Sequence, residues 1–174
     1  MEYPVKKQSE IKSSFERVAE HLALNPERGC NTLVSTTRIT DGLACQTEEG
    51  EWKLNADLPS NAGGSNSAPT PGVLGRAALG SCMAMGYMLW ASKLEVPVDS
   101  LEVEIQADSD DGVLFGVSDA PPGYTEVRYR VRVQSSASEE EIIRVLDAGD
   151  QHGPYLDIFT RAVPCKRQVE IIQS

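Results

Sequence analysis

Residues 73–94 read VLGRAALGSCMAMGYMLWASKL, and the reading of this stretch decides the fold. It is apolar on nearly every side for about six helical turns, so it predicts a helix in the middle of the domain instead of one lying on the surface. Arg76, Ser81, Ser92, Lys93 and three glycines interrupt it. Such groups are costly in hydrocarbon, so a buried core helix is expected in place of a membrane span. The small residues permit close packing of whatever lies against it.

Working outward, Ser100 to Asp108 alternates through Leu101, Val103 and Ile105, and Glu126 to Gln134 through Val127, Tyr129, Val131 and Val133. Both predict strands with one buried face. Residues 109–124 between them are rich in Asp, Gly and Pro and form a long connection. Ser138 before Glu139, Glu140 and Glu141 marks a helix start, with Ile142, Ile143, Val145 and Leu146 on its apolar face. Gly153-Pro154 breaks that helix, a shorter one runs from Tyr155 to Thr160, and Gln168 to Ile172 is expected to close the chain as a last strand. On the N-terminal side, Pro59 to Pro71 has loop composition. Trp52, Leu54, Ala56 and Leu58 alternate as a half-buried strand. Thr32 to Thr40 and Leu43 to Thr47 form a hairpin about Asp41-Gly42. Residues 9 to 24 form an amphipathic helix carrying Ile11, Phe15, Val18, Ala19 and Leu22, with Ser9 as its N-cap.

The chain of 174 residues carries a formal charge of −10, a field that repels phosphates and anionic headgroups and disfavours nucleic acid and membrane partners. No apolar run follows the first basic residues, so a cytoplasmic location is expected. Cys30, Cys45, Cys82 and Cys165 show neither a CxxC nor a Cys/His ligand spacing, which leaves no case for structural zinc. No GxGxxG, P-loop, HExxH or GxSxG occurs.

Two residues stand out. Cys82 lies midway along the long helix, where it reads either as a small buried hydrophobe or as a reactive thiol that needs a nearby cation and solvent access. His152 sits at the break before Gly153-Pro154, where it could approach a thiol or act as a helix C-terminal cation. His21 lies within the first helix. Met83, Met85 and Met88 read as core filler or as the lining of an apolar cleft.

The run PTPGVLGRAALGSCMAMGYMLWA resembles the first-cysteine helix of the osmotically inducible protein C and organic hydroperoxide resistance (OsmC/Ohr) family. The stretches VDSLEVEIQAD, PPGYTEVRYRVRVQSSASEEEI and GPYLDIFTRAVPCKRQVEI fall where that family has its middle strands and second helix. The likeness covers roughly Thr32 to Ser174. It implies an α+β, OsmC-like fold in which curved antiparallel sheets pack on a long central helix, within an intertwined homodimer carrying a pair of sites at the subunit interface. Residues 1–174 then form a single domain, with 1–31 as a helical extension and 32–174 as the core.

The resemblance also implies thiol chemistry without cofactor or metal: Cys82 matches the cysteine that attacks an organic hydroperoxide in oxidative-stress defence. Two positions depart from the pattern. Gly153 stands where the second cysteine precedes a proline, and Gly72 where a glutamate follows the proline opening the helix region. Arg38, with Thr40 equally near the position, is the candidate for the family's arginine. The resulting expectation is a one-cysteine reductant of organic hydroperoxides that depends on an external dithiol, with His152 or Arg38 biasing Cys82 toward thiolate. The alternative is a catalytically silent dimer that binds a small lipophilic molecule in a cleft lined by Met85, Leu89 and Trp90.

Overall fold

A computed structural model describes residues 7–173. Helix α1 spans Gln8–Leu24, and strands β1 (Thr36–Asp41), β2 (Ala44–Glu49) and β3 (Trp52–Ala56) form an antiparallel sheet in the order β1-β2-β3. Helix α2 runs Pro71–Lys93, followed by the antiparallel pair β4 (Ser100–Asp108) and β5 (Glu126–Gln134). Helices α3 (Glu139–Gln151) and α4 (Pro154–Thr160) complete the regular elements.

The predicted helix breaks and turns have physical causes visible in the structure. Thr70 caps α2 by accepting from the Val73 amide, and Pro71 sits in the first turn, where its missing N–H costs nothing. Ser138 and Glu141 form a reciprocal capping box at α3. The core has two centres. Leu79, Met83 and Tyr87 of α2 pack on the apolar faces of β4 and β5 and on Leu146 and Leu156, while Ala91 and Val96 pack with Val145 of α3. The outer face of the β4–β5 pair carries opposed charges, with Arg132 pairing Glu102 and Arg128 bonded to Asp108 at 2.6 Å.

Several expectations are corrected. Gln168 to Ile172 forms no strand: the segment is extended, with Ile171 81% exposed, because no edge of the described chain lies beside it to complete a ladder. Helix α1 starts one residue before Ser9, so Lys7 occupies the N-cap, and Val18 and Ala19 are exposed. Strand β1 begins at Thr36, not Thr32. The apolar face of β3 is covered only at its end: Ala56 is buried, whereas Trp52 is 71% and Leu54 56% exposed, since the first sheet packs chiefly on itself.

The central helix is also less enclosed than its composition implies. Val73, Ala77, Ser81, Met85 and Leu89 are exposed at every fourth residue, which is one continuous ridge of the kind that packs into another helix's groove. The chain's accessible surface is 13522 Å², whereas a compact chain of its mass exposes about 8,300 Å².

Candidate functional site

Cys82 lies beside the exposed ridge of α2, half-buried between Ser81 on the solvent side and Met83 on the core side. Side chains three and four apart share a helix face, so Cys82 is adjoined by Ala78, Met85 and Gly86, all small or apolar. No hydrogen bond reaches its thiol among the described residues. The ridge therefore offers a partly accessible sulfur in an apolar setting.

The other two predicted site residues are held elsewhere within the chain. His152 caps the C-terminus of α3: its Nδ1 lies 2.9 Å from the Ala148 carbonyl oxygen and so donates to it, and the ring rests on Trp90 with centroids 4.6 Å apart. Trp90 is eight residues beyond Cys82, about 12 Å along the helix axis. Arg38 on β1 faces Glu48 across the hairpin, with Nη1 at 3.6 Å from a carboxylate oxygen. Glu48 is held below the usual carboxylate range chiefly by its hydrogen bond with Lys53, with Arg38 adding a smaller attraction. No hydrogen bond, ion pair or ring contact joins Cys82, His152 and Arg38 to one another among the described residues.

Three arrangements near α2 escaped the sequence reading. The first is Asp57, 2% exposed at the end of β3, whose carboxylate accepts from the amides of Leu58, Ser65 and Ser67 and from the Ser67 hydroxyl. These bonds order the 59–70 loop that leads into α2, and those with Ser67 contribute most to holding the Asp57 carboxyl below its usual range. An Asp ahead of a Ser/Asn/Gly-rich loop is the signal that could have found it.

The second is a carboxylate shared by two phenols. Tyr87 donates to Asp150 at 2.5 Å and Tyr129 donates to its other oxygen at 2.9 Å, tying α2, β5 and α3 together. Burial first and the bond to Asp150 second raise the Tyr87 hydroxyl above its ordinary range.

The third lies at the start of α2. Arg76 donates from Nη1 to the Tyr124 hydroxyl at 3.2 Å, and that hydroxyl donates to the Gly72 carbonyl at 3.1 Å. The Tyr124 ring lies nearly parallel to Phe159 of α4, with centroids 6.1 Å apart. Among the described residues no cluster of His, Cys, Asp or Glu is arranged to hold a metal ion, and no helix is long and apolar enough to cross a membrane.

Residues 64–167 match the family described as OsmC-like protein. No curated protein matches the sequence. Among solved structures, the chain resembles an OsmC-like protein from Mycoplasma pneumoniae at 14% identity and a TM-score of 0.64, over 75% of this chain and 88% of that one. An organic hydroperoxide resistance protein from Legionella pneumophila gives 14% identity and a TM-score of 0.53, over 73% of this chain and 88% of the other. One from Elizabethkingia anophelis gives 18% and 0.54, over 74% and 87%. At these identities the likeness is one of fold.

Proposed function

Because the chain belongs to the OsmC-like protein family, we propose that it reduces organic hydroperoxides with a single cysteine, Cys82, in an interface cleft of a homodimer. The observation that carries this reading is the uncovered apolar ridge of α2 with a half-buried thiol at its edge. An apolar hydroperoxide gains by leaving water for such a surface, and the thiol is within reach of it.

A second copy is the natural cover for that ridge. The excess of exposed surface, the exposed Trp52 and Leu54 of β3 and the unpaired segment after α4 support this reading, in which a partner completes the core. Arg38 and His152 favour the Cys82 thiolate, in this reading, across the assembled interface, since within one chain each is engaged elsewhere.

The chemistry balances with one cysteine and an external dithiol. The Cys82 thiolate attacks a peroxide oxygen, the S–O bond forms as the O–O bond breaks, and the departing alkoxide takes a proton and leaves as the alcohol. One thiol of the reductant condenses with the sulfenic acid and releases water. Its second thiol then displaces Cys82 as thiolate and leaves the reductant oxidised to a disulfide. Gly153 supplies no internal resolving thiol before Pro154, so the reductant must reach Cys82 itself. A thiol-rich cytoplasm fits this requirement.

The test follows loss of cumene hydroperoxide with dithiothreitol in the wild type and Cys82→Ser, with sulfenic acid trapped for mass spectrometry. Turnover that disappears in the variant is expected. If neither protein consumes peroxide and Cys82 is never trapped, the peroxidase reading is overturned.

A second reading is favoured by the absence of any cation or hydrogen bond at the Cys82 thiol among the described residues. On that reading the dimer cleft, lined by Met85, Leu89 and Trp90, binds a small lipophilic molecule without chemistry. A ligand-dependent rise in melting temperature with an ordinary alkylation rate at Cys82 would support it.

A further inference from the structure

Helix α2 ends in a turn whose residue choice runs against local preference. The Glu95 amide donates to the Ser92 carbonyl and the Val96 amide to the Ala91 carbonyl, the pair of bonds that closes a helix through one left-handed residue. That residue is Glu95, with a φ of 57°. Glycine is favoured at such a position because a Cβ is strained there. The carboxylate that comes with the strain pairs with Lys12 Nζ of α1 at 2.9 Å. A local rule broken without local gain points to a role outside the turn itself.

Helix α1 is held on the body of the protein by a few contacts of this kind. None of its described residues is buried, and neither core centre includes one of them. Gln8 bonds the stretch after α2, donating from Nε2 to the Val96 carbonyl at 2.9 Å and accepting from the Val98 amide at 3.1 Å. The Phe15 ring meets Trp90 edge-on with centroids 5.5 Å apart. Lys93 Nζ lies 4.9 Å from the Phe15 centroid and 4.4 Å from that of Trp90. Each such contact contributes little net free energy at a partly exposed site. Beyond α1, residues 30–35 are exposed and without regular structure, a tether of about 20 Å that lets the helix move without disturbing β1.

From this geometry we propose that α1 is a strap that opens and closes over the Trp90 end of α2 independently of the core, with Glu95 as its catch. Opening breaks the Gln8, Lys12 and Phe15 contacts and leaves α2, α3 and the β4–β5 pair folded, because elements with few buried contacts open at the low end of the range of local stabilities. When the strap is closed, Phe15 covers an edge of Trp90. When it is open, that edge is released to the cleft that Met85 and Leu89 line. The strap therefore gates the Trp90 end of the cleft, and this gating, unlike the opening itself, rests on the peroxidase reading.

Hydrogen exchange of the full chain, followed by mass spectrometry, tests the strap. In the wild type the amides of α1 should exchange at least about tenfold faster than the slowest amides of α2. Glu95→Gln keeps the side chain and removes the ion pair, and Lys93→Met keeps the stem and removes the cation. Each should speed exchange in α1 by about twofold to fivefold and leave α2 and β5 unchanged. Glu95→Gly separates the catch from the turn: it should raise the melting temperature by relieving the left-handed residue while it speeds exchange in α1. Exchange of α1 at the rate of the α2 core, or α1 rates that none of the three variants changes, overturns the strap. The gate is read with cumene hydroperoxide, for which the variant combining Glu95→Gln and Lys93→Met should show KM lowered by about twofold or more at unchanged kcat, since a larger share of the protein is open. An unchanged KM overturns the gate. A wild-type protein that consumes no peroxide overturns the peroxidase reading and the gate with it, while the exchange rates decide the strap by themselves.

Discussion

Replacing Gly149 by alanine sets two physical effects against each other, and the structure decides which wins. In an exposed helix interior the change stabilises by about 1 kcal/mol through propensity alone. Here a Cβ at 149 would lie 2.4 Å from Tyr87 Cδ1 and 2.9 Å from Cε1, inside the 3.4–4 Å of ordinary contact. Tyr87 is 1% exposed and cannot swing into solvent, so its ring must move by about 1 Å within a packed core, an overpacking that costs about 1–3 kcal/mol. The movement also strains the 2.5 Å bond from Tyr87 to Asp150, and a hydrogen bond to a charged group contributes about 1.5–3 kcal/mol. The net expectation is a loss of about 2–4 kcal/mol, or roughly 5–15 °C in melting temperature for a chain of this length. Urea unfolding with a free m-value measures it, and Tyr87→Leu combined with Gly149→Ala supplies the control. In the double variant the ring is gone, so the alanine should cost far less than in the wild-type background. A stabilised Gly149→Ala protein, or the same penalty with and without the Tyr87 ring, would refute the steric argument.

The remaining expectations concern the loop before α2 and the assembly. Asp57→Asn should lower the melting temperature at pH 7, where its carboxylate is bonded to Leu58, Ser65 and Ser67. Because the folded-state pKa of Asp57 is depressed, its contribution is present above the unfolded value and is lost as pH falls through the folded one. The gap between wild type and variant should therefore close in acid, and a gap that is constant with pH would contradict this. Light scattering should return a molar mass twice the chain's 18.9 kDa, and Met85→Glu, at a position 61% exposed on the ridge, should reduce it to one chain. A wild-type mass of one chain removes the interface cleft.

Much of the fold was legible locally because local physics sets it. Period-two alternation places β4 and β5 at their observed bounds, and the Ser138–Glu141 spacing carries the capping box of α3 within four residues. Elements that need a distant partner were not legible in the same way. Gln168 to Ile172 has the composition of a strand, yet a strand exists only where another edge completes its hydrogen bonds, and none is present in the described chain. The apolar pattern of β3 and of α2 likewise identified residues that bury themselves somewhere, without saying that Trp52, Met85 and Leu89 stay uncovered in one chain.

The candidate site divides in the same manner. Sequence alone determined that Cys82 lies midway along the long central helix and that glycine occupies positions 72 and 153, since each is a matter of residue identity on a regular element. Tertiary structure alone decided that His152 rests on Trp90, that Arg38 faces Glu48, and that Tyr124, 48 residues away in the chain, meets Arg76 beside Gly72. Periodicity records which way a side chain points from its own backbone. The partner it meets depends on how separate elements pack, which is a property of the folded chain as a whole.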